Sequence, residues 1–295
     1  MVAQNERVNF QDQISANKWK SFFLIFIIFI VFLVLGYIIS LAFDPGFLFI
    51  IMIISIIFSL SYILFSYYNS DKIAIASVRA KEASRTEHRQ YYHIVEGLTI
   101  ASGMPMPRLY VMDSPQINAF ASGRNPNKAV LCVTRGALEK LDKRELEGVL
   151  AHELGHVANY DIRYMTLATV MVGMIAIISE IFLRSLWFKG GGNDNKGNAI
   201  LLVIGIILAI LAPIIVQLVQ LAISRKREFV ADASAVRFTR YPPGLIGALK
   251  KIRAENQPEK KISKAMAPLF FANPFKGLGS THPPLEKRIE VLERM

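Results

Sequence analysis

Two uninterrupted apolar runs dominate the start of the chain. Phe22 to Phe43 and Phe47 to Tyr68 contain no charged residue. A helix rises about 1.5 Å per residue and a bilayer core is about 30 Å thick, so each run is long enough to cross one. Asp44-Pro45-Gly46 between them is a turn signal. Trp19, Tyr37, Tyr62, Tyr67 and Tyr68 fall at or near the ends, where amphipathic rings favour the interface. The pattern predicts a transmembrane hairpin over 21–68, behind a polar tail of residues 1–20. A secretory signal has a shorter apolar core of about 7–15 residues and no apolar partner.

Two weaker runs come later. Tyr164 to Leu183 is broken only by Glu180, and Ala199 to Ile223 is uncharged with Pro213 inside. A Gly- and Asn-rich loop around Lys189 to Asn195 joins them. They predict a second hairpin over 164–223, for about four transmembrane helices in all; a re-entrant or surface-lying pair is the other reading. Glu180 lies about one turn before Arg184, which suits local pairing or snorkelling.

The polar stretches 69–163 and 224–295 read as one domain interrupted by that hairpin. Ser77 to Ser102 has a helical pattern. Arg108 to Met112, Ile117 to Ala121 and Ala129 to Val133 read as three short strands, with a turn at Asn125 to Lys128. A helix follows from Leu141, with Asp142 as N-cap and Glu145 three residues on. Pro284 to Met295 is a charged helix with Leu285, Ile289 and Leu292 on one face. The fold class expected is an α-helical membrane protein with an α+β domain built on a small three-stranded sheet.

Composition and charge orient this plan. Of 295 residues, 53% are hydrophobic, and the net charge is +11. The mean hydropathy is +0.36. Such values exclude a disordered chain or an ordinary soluble domain. Lys18 and Lys20 precede the first run; Lys72, Arg79 and Lys81 follow the second; Arg163 precedes the third; Arg225-Lys226-Arg227 follow the fourth. The positive-inside rule puts the N-terminus and both polar stretches in the cytoplasm. The excess charge is then accounted for by the bilayer, with no nucleic-acid partner needed. The single cysteine, Cys132, excludes an internal disulfide framework.

The chemistry lies in His152-Glu153-Leu154-Gly155-His156, an H-E-x-x-H motif on an apolar helix. A spacing of four puts both imidazoles on one face, within reach of one metal ion, with Glu153 beside them as a general base. Neutral imidazole suits Zn²⁺, which lowers the pKa of its bound water to about 7. A catalytic zinc needs a third protein ligand and an open position. Glu228 is a candidate ligand. Asp232, one turn on, would hold a ligating imidazole by its other N–H. A solvated acidic pair on a basic helix is the alternative. If 164–223 is a hairpin, its two ends bring His156 and Glu228 close together at the membrane surface.

HELGH, followed after the apolar segment by Glu228-Phe229-Val230-Ala231-Asp232, resembles the M48 metalloproteases. With four expected spans and a cytoplasmic domain, the chain resembles their bacterial membrane branch, the HtpX heat-shock proteases. The resemblance implies a zincin-like domain, one Zn²⁺, and an endopeptidase of the inner membrane that cuts misfolded membrane proteins. It implies His152, His156 and Glu228 as ligands and Glu153 as general base. Ile117-Asn118-Ala119-Phe120 resembles the family's N-A-F segment, which would have Asn118 bond the substrate backbone or steady the oxyanion. Thr281-His282-Pro283-Pro284 resembles its H-P segment, which would have His282 stabilise the oxyanion, with Arg288 pairing Asp232.

Other classes are weaker. An adaptor with structural zinc would need four protein ligands, and three good ones are present. A transporter would place polar residues in its spans. A prenyl-protein processing protease shares the motifs but resembles a larger bundle of spans.

Overall fold

The computed structural model describes residues 10–41, 45–169, 225–255, 269–272 and 283–295. Helices α1 (Phe10–Leu41) and α2 (Leu48–Ser77) form an antiparallel pair joined through a short 3₁₀ turn at Pro45–Phe47. Among the described residues these are the two helices long and apolar enough to cross a membrane. Most of their large apolar side chains face outward, as a lipid-exposed pair requires. The second expected hairpin, 164–223, lies outside the described residues except for its first turns.

Both helices run past their apolar runs. Helix α1 begins at Phe10, so the expected polar tail is helical from there. Its Asn17 and Ser21 are buried, which puts them against protein rather than in free solvent. Helix α2 ends at Ser77, and Arg79 then takes a left-handed φ of 53°. The helix expected from Ser77 to Ser102 is therefore two elements. A short strand β1 (Lys81–Glu82) comes first, then α3 (Arg89–Ser102), stopped by Gly103 at φ 71°.

The sheet has four strands, not three, in the order β1-β2-β4-β3. Strands β2 (Arg108–Met112) and β4 (Val130–Thr134) pair in parallel, while β1 and β3 (Ala119–Ser122) are antiparallel edges. The sheet is covered on both faces. Leu109, Ala119, Ala121, Leu131 and Val133 enter the main core with α3 and α5. The alternate residues Met112, Phe120, Val130 and Cys132 pack with Ala74, Ile75, Met165, Leu269 and Phe270. Period-two alternation thus serves two cores, which is why β4 is apolar throughout.

Helix α4 (Arg135–Lys140) was not foreseen; Thr134 caps it by accepting from the Ala137 N–H. Helix α5 (Lys143–Ala158) carries the motif. Asp142 accepts from the N–H groups of Arg144 and Glu145, and Glu145 returns a bond to the Asp142 N–H. This is the expected capping box. After a reversal at Asn159-Tyr160 the chain is helical again over 161–169, here α6. Helices α7 (Arg225–Thr239), α8 (Pro242–Glu255) and α9 (Leu285–Leu292) complete the described fold. Glycines let α5 and α8 touch at the backbone: a Cβ on Gly148 would stand 2.6 Å from the Leu245 nitrogen, and one on Gly244 2.4 Å from the Arg144 oxygen.

Candidate metal centre

Helix α5 presents His152, Glu153 and His156 inward, and α7 lies across it. Gly155 sets the approach, since a Cβ there would meet Ser234 Cβ at 3.0 Å and the Ala231 oxygen at 3.2 Å. The crossing brings Glu228 to the two imidazoles. Its Oε2 lies 3.6 Å from His152 Nε2, and its Oε1 lies 3.5 Å from His156 Nε2. One donor atom from each of the three residues lies within 4.8 Å of the others.

The orientation of each ring is set from behind. His152 Nδ1 lies 2.8 Å from Asp232 Oδ1, and His156 Nδ1 lies 3.1 Å from Asp161 Oδ2. A carboxylate only accepts, so each Nδ1 carries a proton and each Nε2 is the ring nitrogen turned toward Glu228. Asp232 is held in turn by Arg288, whose Nη2 and Nε donate to it at 2.7 and 3.0 Å. Burial is the largest influence and would raise the Asp232 carboxyl, but the Arg288 guanidinium and the His152 bond together outweigh it and hold it below the ordinary carboxylate range. Burial likewise disfavours a charged His156, yet the bond to Asp161 and the Glu228 charge lift it to about 9.

These residues fit a zinc ion. A tetrahedral site with bonds of about 2.1 Å has donor–donor edges of about 3.4 Å. The two Nε2–carboxylate distances are close to that value. His152 Nε2 is buried with no hydrogen-bond partner among the described residues. An unfilled buried acceptor is costly, and a cation between Nε2 and Glu228 removes the cost.

Glu153 lies beside the group, with its Oε2 accepting the Ala121 N–H of β3 at 2.9 Å. Burial is the largest influence on it and pushes its carboxyl up, against the pull of His152 and His156. The centre is closed: His152, Glu153, His156 and Glu228 are 1, 2, 5 and 1% exposed. Phe271 covers it, with its ring edge-on to His152 at 4.8 Å and beneath the Arg288 guanidinium at 4.7 Å.

Of the residues expected from sequence, His152, Glu153, His156, Glu228, Asp232 and Arg288 converge here. The Asn118 side chain is engaged with the backbone of Ala272. Its amide donates to the Ala272 oxygen at 2.8 Å and accepts from the Ala272 N–H at 3.0 Å. The Phe271 N–H also donates to the Ala119 oxygen, so 269–272 lies along the outer edge of β3. His282 lies outside the described residues. Two contributors went unforeseen. Asp161 lies five residues past His156, beyond the helix end, and a carboxylate there was the available signal. Phe271 had none.

The chain is similar to known proteins over nearly its full length. A family model described as "Peptidase family M48" matches residues 85–295. A protein named "Protease HtpX homolog" from Dictyoglomus thermophilum is 43% identical, covering 97% of this chain and 95% of its own length. One of the same name from Listeria monocytogenes is 39% identical, covering 96% and 99%. The crystal structure of S. mikatae Ste24p superposes with a TM-score of 0.50 at 19% identity, over 96% of this chain and 67% of that one. By sequence, fold and donor set, the chain belongs to peptidase family M48: it is a metalloprotease carrying a pair of membrane-length helices.

Proposed function

We propose that the chain is a multi-pass zinc endopeptidase of the bacterial inner membrane with its catalytic domain in the cytoplasm. It cuts misfolded or damaged membrane proteins as part of proteolytic quality control. In this reading 1–20 is the cytoplasmic tail, 21–68 and 164–223 are the two hairpins, and 69–163 with 224–295 form the catalytic domain. The observation that carries the chemistry is the convergence of His152, His156 and Glu228 within 4.8 Å, with Glu153 alongside.

His152, His156 and Glu228 hold the zinc. When bound, it supplies a Lewis acid and a water acidified to a pKa of about 7. Glu153 takes the proton from the attacking water and later delivers it to the leaving amine. The raised pKa of Glu153 favours accepting that proton. Its bond from Ala121 fixes the carboxylate while it does so. Asp232 and Asp161 keep both imidazoles in the ligating tautomer. His282 steadies the oxyanion. Asn118 already pairs with the Ala272 backbone, and it offers the same amide to a substrate strand that takes that place.

The test is proteolysis in detergent. Protein purified under chelator is given Zn²⁺ and an unfolded substrate, beside Glu153→Gln. Zinc-dependent cutting that the variant loses while still binding zinc supports the reading. Tight zinc binding without cutting, across several unfolded and membrane substrates, moves the chain to a structural-zinc adaptor.

A further inference from the structure

We propose that Asn17, on the first membrane-length helix, is a positioning residue for the metal centre, acting through Asp161 on His156. The proposal rests on the reading of His156 as a zinc ligand.

Asn17 is buried near the polar end of a largely apolar helix. A buried amide is costly unless its hydrogens find acceptors. Both do: Asn17 Nδ2 donates to Asp161 Oδ1 at 2.7 Å and to the Asn159 oxygen at 3.2 Å. These acceptors flank Tyr160, which has a φ of 58°. Left-handed backbone is disfavoured for a residue with a Cβ, so this reversal needs holding from outside. The next residue of α1 adds to the grip, with Lys18 Nζ 5.3 Å from the centre of the Tyr160 ring.

The reversal is what makes Asp161 useful. His156 lies in the last turn of α5, and Asp161 reaches it only because the chain doubles back at Tyr160. One carboxylate oxygen then takes the Asn17 N–H while the other takes the His156 Nδ1–H. Arg227 Nη1 stands 3.9 Å from Asp161 Oδ1, an attraction beyond hydrogen-bond reach that fixes no direction. Anchoring of α1 itself falls to other side chains: Leu24 and Ile28 pack with Tyr62, Ile63, Leu167 and Ala168. Helix α1 is thus wired through Asp161 to His156 as well as packed on α2 and α6.

The experiment uses the full chain in detergent. Asn17→Leu keeps the volume and removes both donors. Zinc affinity is read by competition with a chromophoric chelator, and ligand geometry by the visible spectrum of the Co²⁺-loaded protein. The expected result is a zinc Kd raised about 10–100-fold, with shifted Co²⁺ bands. Leu24→Ala, which loosens α1 without touching Asp161, should lower the melting midpoint and leave the Kd unchanged. Asp161→Asn should match Asn17→Leu, and the double variant should bind no worse than Asp161→Asn alone. Wild-type affinity and spectrum in Asn17→Leu would overturn the proposal. So would an equal loss in Leu24→Ala, or additive losses in the double variant. If Asn17→Leu does not fold, Asn17→Ser, with a donor too short to span both acceptors, takes the same test. His156→Ala tests the ligand reading separately: unchanged zinc affinity there removes that reading, whatever Asn17 does.

Discussion

Arg288 is fully buried and makes two bonds to Asp232, itself fully buried. Its Nη1 also lies 3.6 Å from Glu228 Oε2. Arg288→Met keeps much of the bulk and removes the charge. Asp232 then keeps His152 as partner but loses its cation. Breaking one side of a buried pair costs about 3–5 kcal/mol. At roughly 2–4 °C per kcal/mol for a domain of this scale, the melting midpoint should fall by roughly 6–20 °C. Asp232→Leu in the same chain removes the stranded carboxylate, and an apolar pair of similar size is often neutral or stabilising. The double variant should therefore regain most of the stability. It should not regain zinc affinity, because His152 has lost the acceptor that fixes its tautomer; the expected deficit is about 10–100-fold. Thermal unfolding of metal-free protein by intrinsic fluorescence, with chelator competition for zinc, reads both quantities. A double variant as unstable as Arg288→Met would refute the argument, leaving Arg288's packing over Phe271 as the source of stability.

Four further outcomes are expected. Gly148→Ala drives a methyl to 2.6 Å from the Leu245 nitrogen; α8 must retreat, at about 1–3 kcal/mol, and an unchanged melting midpoint would contradict the close crossing. Cys132 is buried, and burial pushes its thiol up. A maleimide should therefore label it only after denaturation, and rapid labelling of native protein would place it elsewhere. Asn118→Ala strands the Ala272 N–H and oxygen, each worth about 1–3 kcal/mol. Amide exchange at Ala272 should quicken by at least about tenfold, and equal exchange rates would mean that the amide pair does not hold this segment. Asp142→Ala removes the cap of α5 and should cost about 1 kcal/mol by denaturant titration, whereas no loss would make the cap dispensable.

How much of this was legible depends on whether the deciding physics was local. The apolar helix pair, the capping box at Asp142 and Glu145, and the one-turn spacings of His152 with His156 and Glu228 with Asp232 are short-range patterns. All of them reappear in the structure. Strand β1 is two exposed residues, and its partner Val111 is distant in sequence. No periodicity could mark it, so the run from Ser77 read as continuous helix. Asp161 depends on a left-handed backbone at a tyrosine, where propensity favours the opposite. Asn17 sits in the polar stretch before the first apolar run, where nothing local marks it for a buried contact. Arg288 and Asp232 were paired on resemblance alone, because their contact joins two helices that no local rule relates.

The outer edge of β3 is already engaged: Phe271 and Asn118 close it at one end, and Glu153 takes the Ala121 N–H at the other. Any chain that adds itself there competes with a rival on the same polypeptide. A tethered rival acts at an effective concentration of order millimolar. Short peptides in dilute solution lose that contest. If the proposed function holds, a long unfolded chain that makes several backbone pairs at once wins it, and so does a segment delivered along the bilayer, where confinement raises its own local concentration. On that reading, discrimination against folded proteins arises before any bond is cut, from the internal competitor that each substrate must displace.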